Sequence, residues 1–253
     1  MKSSTVRYIL AVIALCGFFS QSDAAEIVVS VASSLTNAFK EIGQTYEGEN
    51  SGTKVLFNFG ASDSLLQQIS RGAPVDVFAS ADQETMDRAS KQQLILTNTR
   101  SDFVENRLVL VAPTSSDSQV VALPDLTKEF VQHIGVGAEA VPVGRYTKEF
   151  LEREGMWSFL IPKFVYGQNV RQVLDYVARG EVEAGFVYLT DALLFKDKVR
   201  VVLEATTQTP IVYPIAVVKG GGNEKGGHQF VVFVRSEKAQ AILQKYGFQR
   251  AAK

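Results

Sequence analysis

The sequence predicts an α/β protein of two domains, each a mostly parallel sheet flanked by helices, with a cleft between them. Three observations carry this. From Glu26 onward, short β-branched runs alternate with stretches of helical period, the pattern of βαβ units. The alternation halts at a polar stretch, Thr114 to Gln119, and then begins again. Finally, the long apolar run Ile211 to Val218 contains Pro214, which a sheet accepts only at an edge or where the ladder is interrupted. That suits a segment passing between two bodies.

The elements follow in order. Ile27 to Val31 reads as a buried strand, and Leu35, Ala38, Phe39, Ile42 and Tyr46 fall on one face of the helix after it. Val55 to Phe59 is the second strand, with Leu65, Leu66 and Ile69 opening the second helix. Val75 to Ala79 is the third, and Asp82 caps a helix carrying Met86 and Ala89. Arg107 to Ala112 is a strong strand closed by Pro113. After the polar stretch, His133 to Gly137 ends a strand. Tyr146, Phe150 and Leu151 mark a helix stopped at Gly155, and Val170, Val173, Leu174 and Val177 mark one stopped at Gly180. Ala184 to Leu189 and Val199 to Leu203 are strands. Gln229 to Phe248 is helical, restarted by Ser236 and stopped by Gly247, and each βαβ crossover is expected to be right-handed. Crossings near residues 104–109 and 208–214 divide the chain into residues 25–106 plus 210–253 as the first domain and 107–209 as the second.

Composition sets the compartment and excludes several functions. Basic and acidic side chains number 26 and 27 in 253 residues, a formal net charge of −1. No bias toward nucleic acid or anionic membrane follows. Lys2 and Arg7 precede the apolar run Tyr8 to Phe19, and Ser20 to Ala24 ends in small residues, the layout of a cleavable secretory signal over residues 1–24. The run is shorter than the ~20 residues a spanning helix needs. Cys16, the single cysteine, lies in that segment behind the bulky Leu15, which argues against lipidation. The mature chain is therefore expected to be an exported, periplasmic monomer without disulfides or thiolate metal sites.

The strand-to-helix turns carry the chemistry. Ser33-Ser34, Gly60-Ala61-Ser62-Asp63, Val141-Pro142-Val143-Gly144 and Gln168-Asn169-Val170 each stand where a strand hands over to a helix. A helix start offers about four unpaired N–H donors and roughly half a positive charge. Serine adds a hydroxyl. Four such starts aimed into one cleft make a site for a small anion without Lys or Arg. Each bond to a charged acceptor contributes roughly 1.5–3 kcal/mol, so five to seven offset the desolvation of a dianion. Taken singly, each turn is an ordinary helix cap. Arg145 and Arg171 sit just inside helix starts, where the helix field opposes a cation, and are expected at the rim rather than on the anion. Asp63 is expected to point outward. Gly135-x-Gly137-x-x-Ala140 is cut short by Pro142, Gly220 to Gly227 reads as a surface turn, and His133 and His228 are too few for a metal cluster.

Several segments match one family in order and spacing. They are Val31–Ala38 (VASSLTNA), Gly72–Gln83 (GAPVDVFASADQ), Asn106–Pro113 (NRLVLVAP), Val141–Gly144, Asn169–Arg171, Gly185–Tyr188 (GFVY), Tyr213–Val218 (YPIAVV) and Lys245–Phe248 (KYGF). The chain resembles the periplasmic molybdate-binding proteins of molybdate ABC transporters over essentially all of its mature length. The resemblance implies a type II periplasmic binding fold closing on a tetrahedral oxyanion, molybdate and also tungstate, with a membrane permease as partner and no resident cofactor. It also implies the ligand contacts: hydroxyl and backbone N–H of Ser34 and Ser62, backbone N–H of Val143 and Val170, and the hydroxyl of Tyr188. No protein atom would bind the metal directly, since its oxo groups are what the donors hold. Two alternatives remain open at this point. One is a binding protein for sulfate or phosphate. The other is an exported serine hydrolase using Ser34, Asp191 and His228 in that chain order, although Ser34 lacks the glycines of a nucleophile elbow.

Overall fold

Two mixed sheets organise the chain, each with a parallel heart and antiparallel strands where the chain passes between lobes. The computed structural model describes residues 25–115 and 118–251. The expected signal segment and Cys16 lie outside the described residues. The first lobe opens with β1 (Ala25–Ala32), α1 (Thr36–Glu49), β2 (Thr53–Gly60), α2 (Ser62–Ser70), β3 (Val77–Ala79), α3 (Gln83–Lys91) and β4 (Ser101–Asn106). The second holds β5 (Leu108–Pro113), β6 (Ile134–Gly137), α4 (Pro142–Arg153), α5 (Trp157–Leu160), β7 (Phe164–Gly167), α6 (Val170–Ala178), β8 (Ala184–Tyr188), α7 (Leu189–Leu194) and β9 (Val199–Ala205). The chain then returns through β10 (Ile211–Val217) to α8 (Glu224–Val234), α9 (Glu237–Lys245) and β11 (Gln249–Arg250).

The first sheet has the order β11-β4-β10-β3-β1-β2 and the second β7-β6-β8-β5-β9. β1 is parallel to β2 and β3, and β6 is parallel to β7 and β8. β4, β10 and β11 in one sheet and β5 and β9 in the other run antiparallel to their neighbours. Register matters for function here. Ala32 pairs with Gly60 and Val31 with Ala79, so the C-terminal ends of β1, β2 and β3 finish level. Gly137 pairs with Gly167 in the other lobe. Ligands in open α/β sheets bind at such strand ends.

The lobes are joined by two strands of backbone lying side by side. Arg107 alone separates β4 from β5, and residues 206–210 separate β9 from β10. Asn106 pairs with Ile211 on one side of this junction and Leu108 with Ala205 on the other. Pro214 is not at an edge, because β10 pairs with both β3 and β4; the register slips between Tyr213 and Pro214 instead. An interrupted ladder removes the need for the missing N–H.

Packing follows the pattern of buried parallel strands. Val29, Ser30 and Val31 are all buried, as expected for a strand covered on both faces. Phe39 of α1 meets Phe57, Phe103 and Phe230 edge-on at 6.0–6.3 Å, which fixes α1 and α8 against the sheet. The Gly220–Gly227 stretch departs from the expected surface turn. α8 already begins at Glu224, its start capped by the Asn223 side chain accepting from Gly226 N–H at 2.9 Å. Asp76 explains how two glycines are held in a helix. Its carboxylate accepts from Val28 N–H at 2.8 Å and from Asn223 N–H at 2.6 Å, tying β1 to the helix start.

Candidate functional site

At the level strand ends the helix starts of both lobes meet. Ser34 follows β1 in a short 3-10 turn, Ser33–Leu35, and Ser62 is the first residue of α2. From the other lobe, Val143 lies in the first turn of α4, Val170 opens α6, and Tyr188 ends β8 at the start of α7. These residues line one cavity, together with Ala32, Ser33, Gly60, Ala61, Ala81, Val141 and Pro142; it measures about 200 Å³ including its open mouth. None of the lining side chains is charged. All five residues named from the sequence are thus brought together.

Local sequence explains why the donors are free. Pro142 sits at the first position of α4, where a missing N–H costs nothing, and leaves Val143 N–H in the first, unpaired turn. The turn is tight: a Cβ at Gly144 would lie 2.2 Å from Ala138 O and one at Gly137 2.7 Å from Val143 Cγ1. So only glycine at both positions lets α4 approach the end of β6, and the Val143 side chain is turned over Gly137, into its own lobe. Gly60, by contrast, faces the Leu65 side chain rather than another backbone. Ser62 Oγ accepts from Ala81 N–H at 2.9 Å, which leaves its own proton to donate. Ser34 Oγ lies 3.0 Å from the hydroxyl of Tyr213.

Tyr188 is the clearest signal. It is 1% exposed, yet its hydroxyl has no hydrogen-bond partner. An unpaired buried hydroxyl costs about 1–3 kcal/mol, so a protein keeps one where something else uses it. Burial also pushes its phenol well above the ordinary range, which keeps the proton in place as a donor.

Charge stands around the cavity, not in it. Arg145 crosses from α4 to the first lobe. It pairs with Asp82, the cap of α3, with its Nε 3.1 Å from Asp82 Oδ2 and 3.2 Å from Glu84 Oε2, and it donates to Thr85 Oγ1 at 2.9 Å. Arg171 forms an ion pair with the fully buried Asp191 at 2.6 Å and reaches Ser34 O across the cleft at 3.4 Å. Both arginines occupy rim positions, as the helix field requires. Asp63 departs from expectation. It does not face solvent: it is 6% exposed and not among the cavity-lining residues. Burial raises its carboxyl, while its own and Ser64's helix-start N–H groups and the charges of Arg145 and Arg88 pull it back. The carboxylate is folded onto the start of α2, where the helix dipole favours it. The Ser34, Asp191 and His228 set of a hydrolase is not assembled, because Ser34 bonds Tyr213, Asp191 bonds Arg171 and His228 is exposed on α8.

The family model of bacterial extracellular solute-binding proteins matches residues 27–249. The chain belongs to this family. This solute-binding protein is 36% identical over 233 residues to the molybdate-binding protein ModA of Escherichia coli (strain K12), covering 90% of each chain. It is 34% identical over 238 residues to ModA of Haemophilus influenzae, covering 91% of this chain and 92% of that one. The solved periplasmic molybdate-binding protein of Azotobacter vinelandii superposes with a TM-score of 0.75 over 89% of this chain and all of the other; at 22% identity that likeness concerns the fold alone. The fold is that of the two-domain type II periplasmic binding proteins, with the cleft between the lobes.

Two outcomes are expected of this solute-binding protein. Tyr188→Phe should leave the ligand-free unfolding midpoint unchanged or higher, because it deletes an unpaired polar atom; a clear loss of stability would show that the hydroxyl has an internal partner. Asp191 gives a pH signature. Burial raises its carboxyl from the ordinary 3.8 to about 6, against the pull of Arg171. Between those values the folded form holds a proton that the unfolded form has lost, so this contribution to stability falls as pH rises through the window and levels off above about pH 6. Urea midpoints measured across the window should show that slope in the wild type and lose it in Asp191→Asn.

Proposed function

We propose that this protein captures molybdate outside the cytoplasm and delivers it to the permease of an ABC transporter. The observation that carries the reading is the cavity itself: helix-start N–H groups and hydroxyls from both lobes face one small space lined by no charged side chain. Such a lining fits a compact anion with several acceptor oxygens. Ser34 and Ser62 supply hydroxyl and N–H, Val143 and Val170 supply N–H, and Tyr188 supplies its otherwise unpaired hydroxyl. A protonated oxyanion would turn an O–H toward donors, so the site favours a fully deprotonated tetrahedral dianion over hydrogen phosphate. Relatives named for molybdate at 34–36% identity point to the same cargo among such dianions. Tungstate, nearly the same size, is expected to bind as well.

The two sheets suggest how binding becomes a signal. Residues 25–106 with 210–253 form one closing body and 107–209 the other, pivoting at Arg107 and at residues 206–210. The anion bridges them and shifts the equilibrium toward closure by its contacts with Val143, Val170 and Tyr188. Arg145 supports the closed arrangement by neutralising Asp82 across the cleft. The closed monomer, freed of residues 1–24, is the form that docks on the permease in the periplasm.

Isothermal titration and thermal shift with molybdate, tungstate, sulfate and phosphate test this. At 100 times its Kd, molybdate should add about 2.7 kcal/mol of stability, and Ser62→Ala should weaken binding by roughly 1–3 kcal/mol. Stabilisation by sulfate or phosphate but not by molybdate contradicts the assignment.

A further inference from the structure

One wall of the cavity is connected to the point where the chain passes between lobes. Asn106, the last residue of β4, is buried, and its Oδ1 accepts the N–H of Arg107 at 2.9 Å. A backbone N–H can only donate, so the amide has one orientation and its Nδ2 is the donor. That nitrogen gives one hydrogen to Thr190 Oγ1 at 2.9 Å and the other to the Tyr213 hydroxyl at 3.2 Å. Tyr213 is fully buried, and its hydroxyl, already accepting from Asn106, has its own proton to place. Ser34 Oγ, 3.0 Å away, is the acceptor within reach. Ser34 therefore accepts on its inner side, and its single proton is left for the cavity.

We propose that Asn106 and Tyr213 are specificity-determining positioning residues: through a one-way chain of hydrogen bonds they hold the Ser34 hydroxyl as a donor, so that this wall rejects a tetrahedral anion that carries a proton. The inference rests on the oxyanion reading above and goes beyond it by assigning the selection to two side chains outside the cavity lining. Ser62 is polarised in the same sense by Ala81 N–H, but a backbone donor cannot be reversed by substitution. The Ser34 chain can. At position 106 a carboxylate has no proton to give, so Asn106→Asp makes Tyr213 donate away from the cavity; Ser34 then donates to Tyr213 and turns its lone pairs toward the ligand.

The chain also runs between bodies. Asn106 and Tyr213 belong to β4 and β10, and Thr190 to α7 of the second lobe. The donor state of Ser34 is thus set at the same junction that joins the lobes.

The test is isothermal titration of molybdate and of inorganic phosphate, at acid and at alkaline pH, into wild type, Asn106→Asp, Ser34→Ala and the double variant. Wild type binding molybdate is the arm that tests the oxyanion reading; if it fails, that reading falls whatever the variants do. Given wild-type binding, Asn106→Asp is expected to lose about tenfold or more in molybdate affinity. It should gain phosphate relative to molybdate, most at acid pH where phosphate carries more protons. In the Ser34→Ala background the same substitution should change the molybdate-to-phosphate ratio little. An unchanged ratio in Asn106→Asp overturns the proposal. So does an equal loss in both backgrounds, which is simple repulsion by a new carboxylate. If Asn106→Asp does not fold, Tyr213→Phe replaces it without adding charge: freed from its donor, Ser34 is expected to shift the ratio in the same direction, and no shift overturns the proposal.

Discussion

The structure depends on keeping the first-turn N–H groups of several helices unpaired and aimed at one point. Anything that let those groups find partners within the protein would remove the site. Three local devices prevent it. Pro142 removes one N–H and fixes the entry of α4, glycines at 137 and 144 admit the helix start against the strand end, and the level register of β1 with β2 and β3 brings Ser34, Ser62 and Ala81 to one height. Burying neutral dipoles in this way is tolerable, whereas an isolated buried cation would need a partner at all times. A neutral lining can therefore stay dry and closed around an anion and still release it.

The charged groups nearby make sense in that light. Asp63 and Asp82 lie close to the cavity proposed for the anion, and each is offset: Asp63 by the start of its own helix and Asp82 by Arg145. The Arg145 pair also joins the lobes, so the charge compensation of Asp82 is made by a residue of the other lobe. Arg171 does the corresponding service for Asp191 while touching Ser34 O from the opposite lobe. The side chains that balance these charges are thus also ones that bridge the two lobes.

Much of this could be read from residue order. Strands with β-branched runs, such as β1 and β5, and helices with a clear apolar face, such as α1 and α6, carry their own signals, and so do the caps Asp82 and Ser236. What periodicity could not supply were short elements held by their neighbours. β7 is four residues long and half exposed, and β4 sets polar Ser101, Asp102, Glu105 and Asn106 around only two apolar residues, Phe103 and Val104, so neither shows a strand period. The first turn of α8 was hidden behind glycines, where Asn223 caps the helix start and is itself held by Asp76 from far away in sequence. In the site, serines and prolines at turns were visible, but their convergence was not, since it depends on register between strands that are distant along the chain. The burial of Asp63 was equally invisible. A carboxylate at a helix start reads as a surface cap, and nothing in the residue order shows that this one is 6% exposed. The Asn106, Tyr213 and Ser34 chain spans residues too far apart for any spacing rule to join.

A crystal structure of the molybdate complex, with the molybdenum located by anomalous scattering, is the most direct measurement. The account predicts the metal centre in the cavity, its oxygens within hydrogen-bond distance of Ser34, Ser62, Val143, Val170 and Tyr188, and no arginine or lysine nitrogen touching the anion. A guanidinium of Arg145 or Arg171 bonded to the oxyanion, or the metal located elsewhere, would contradict it.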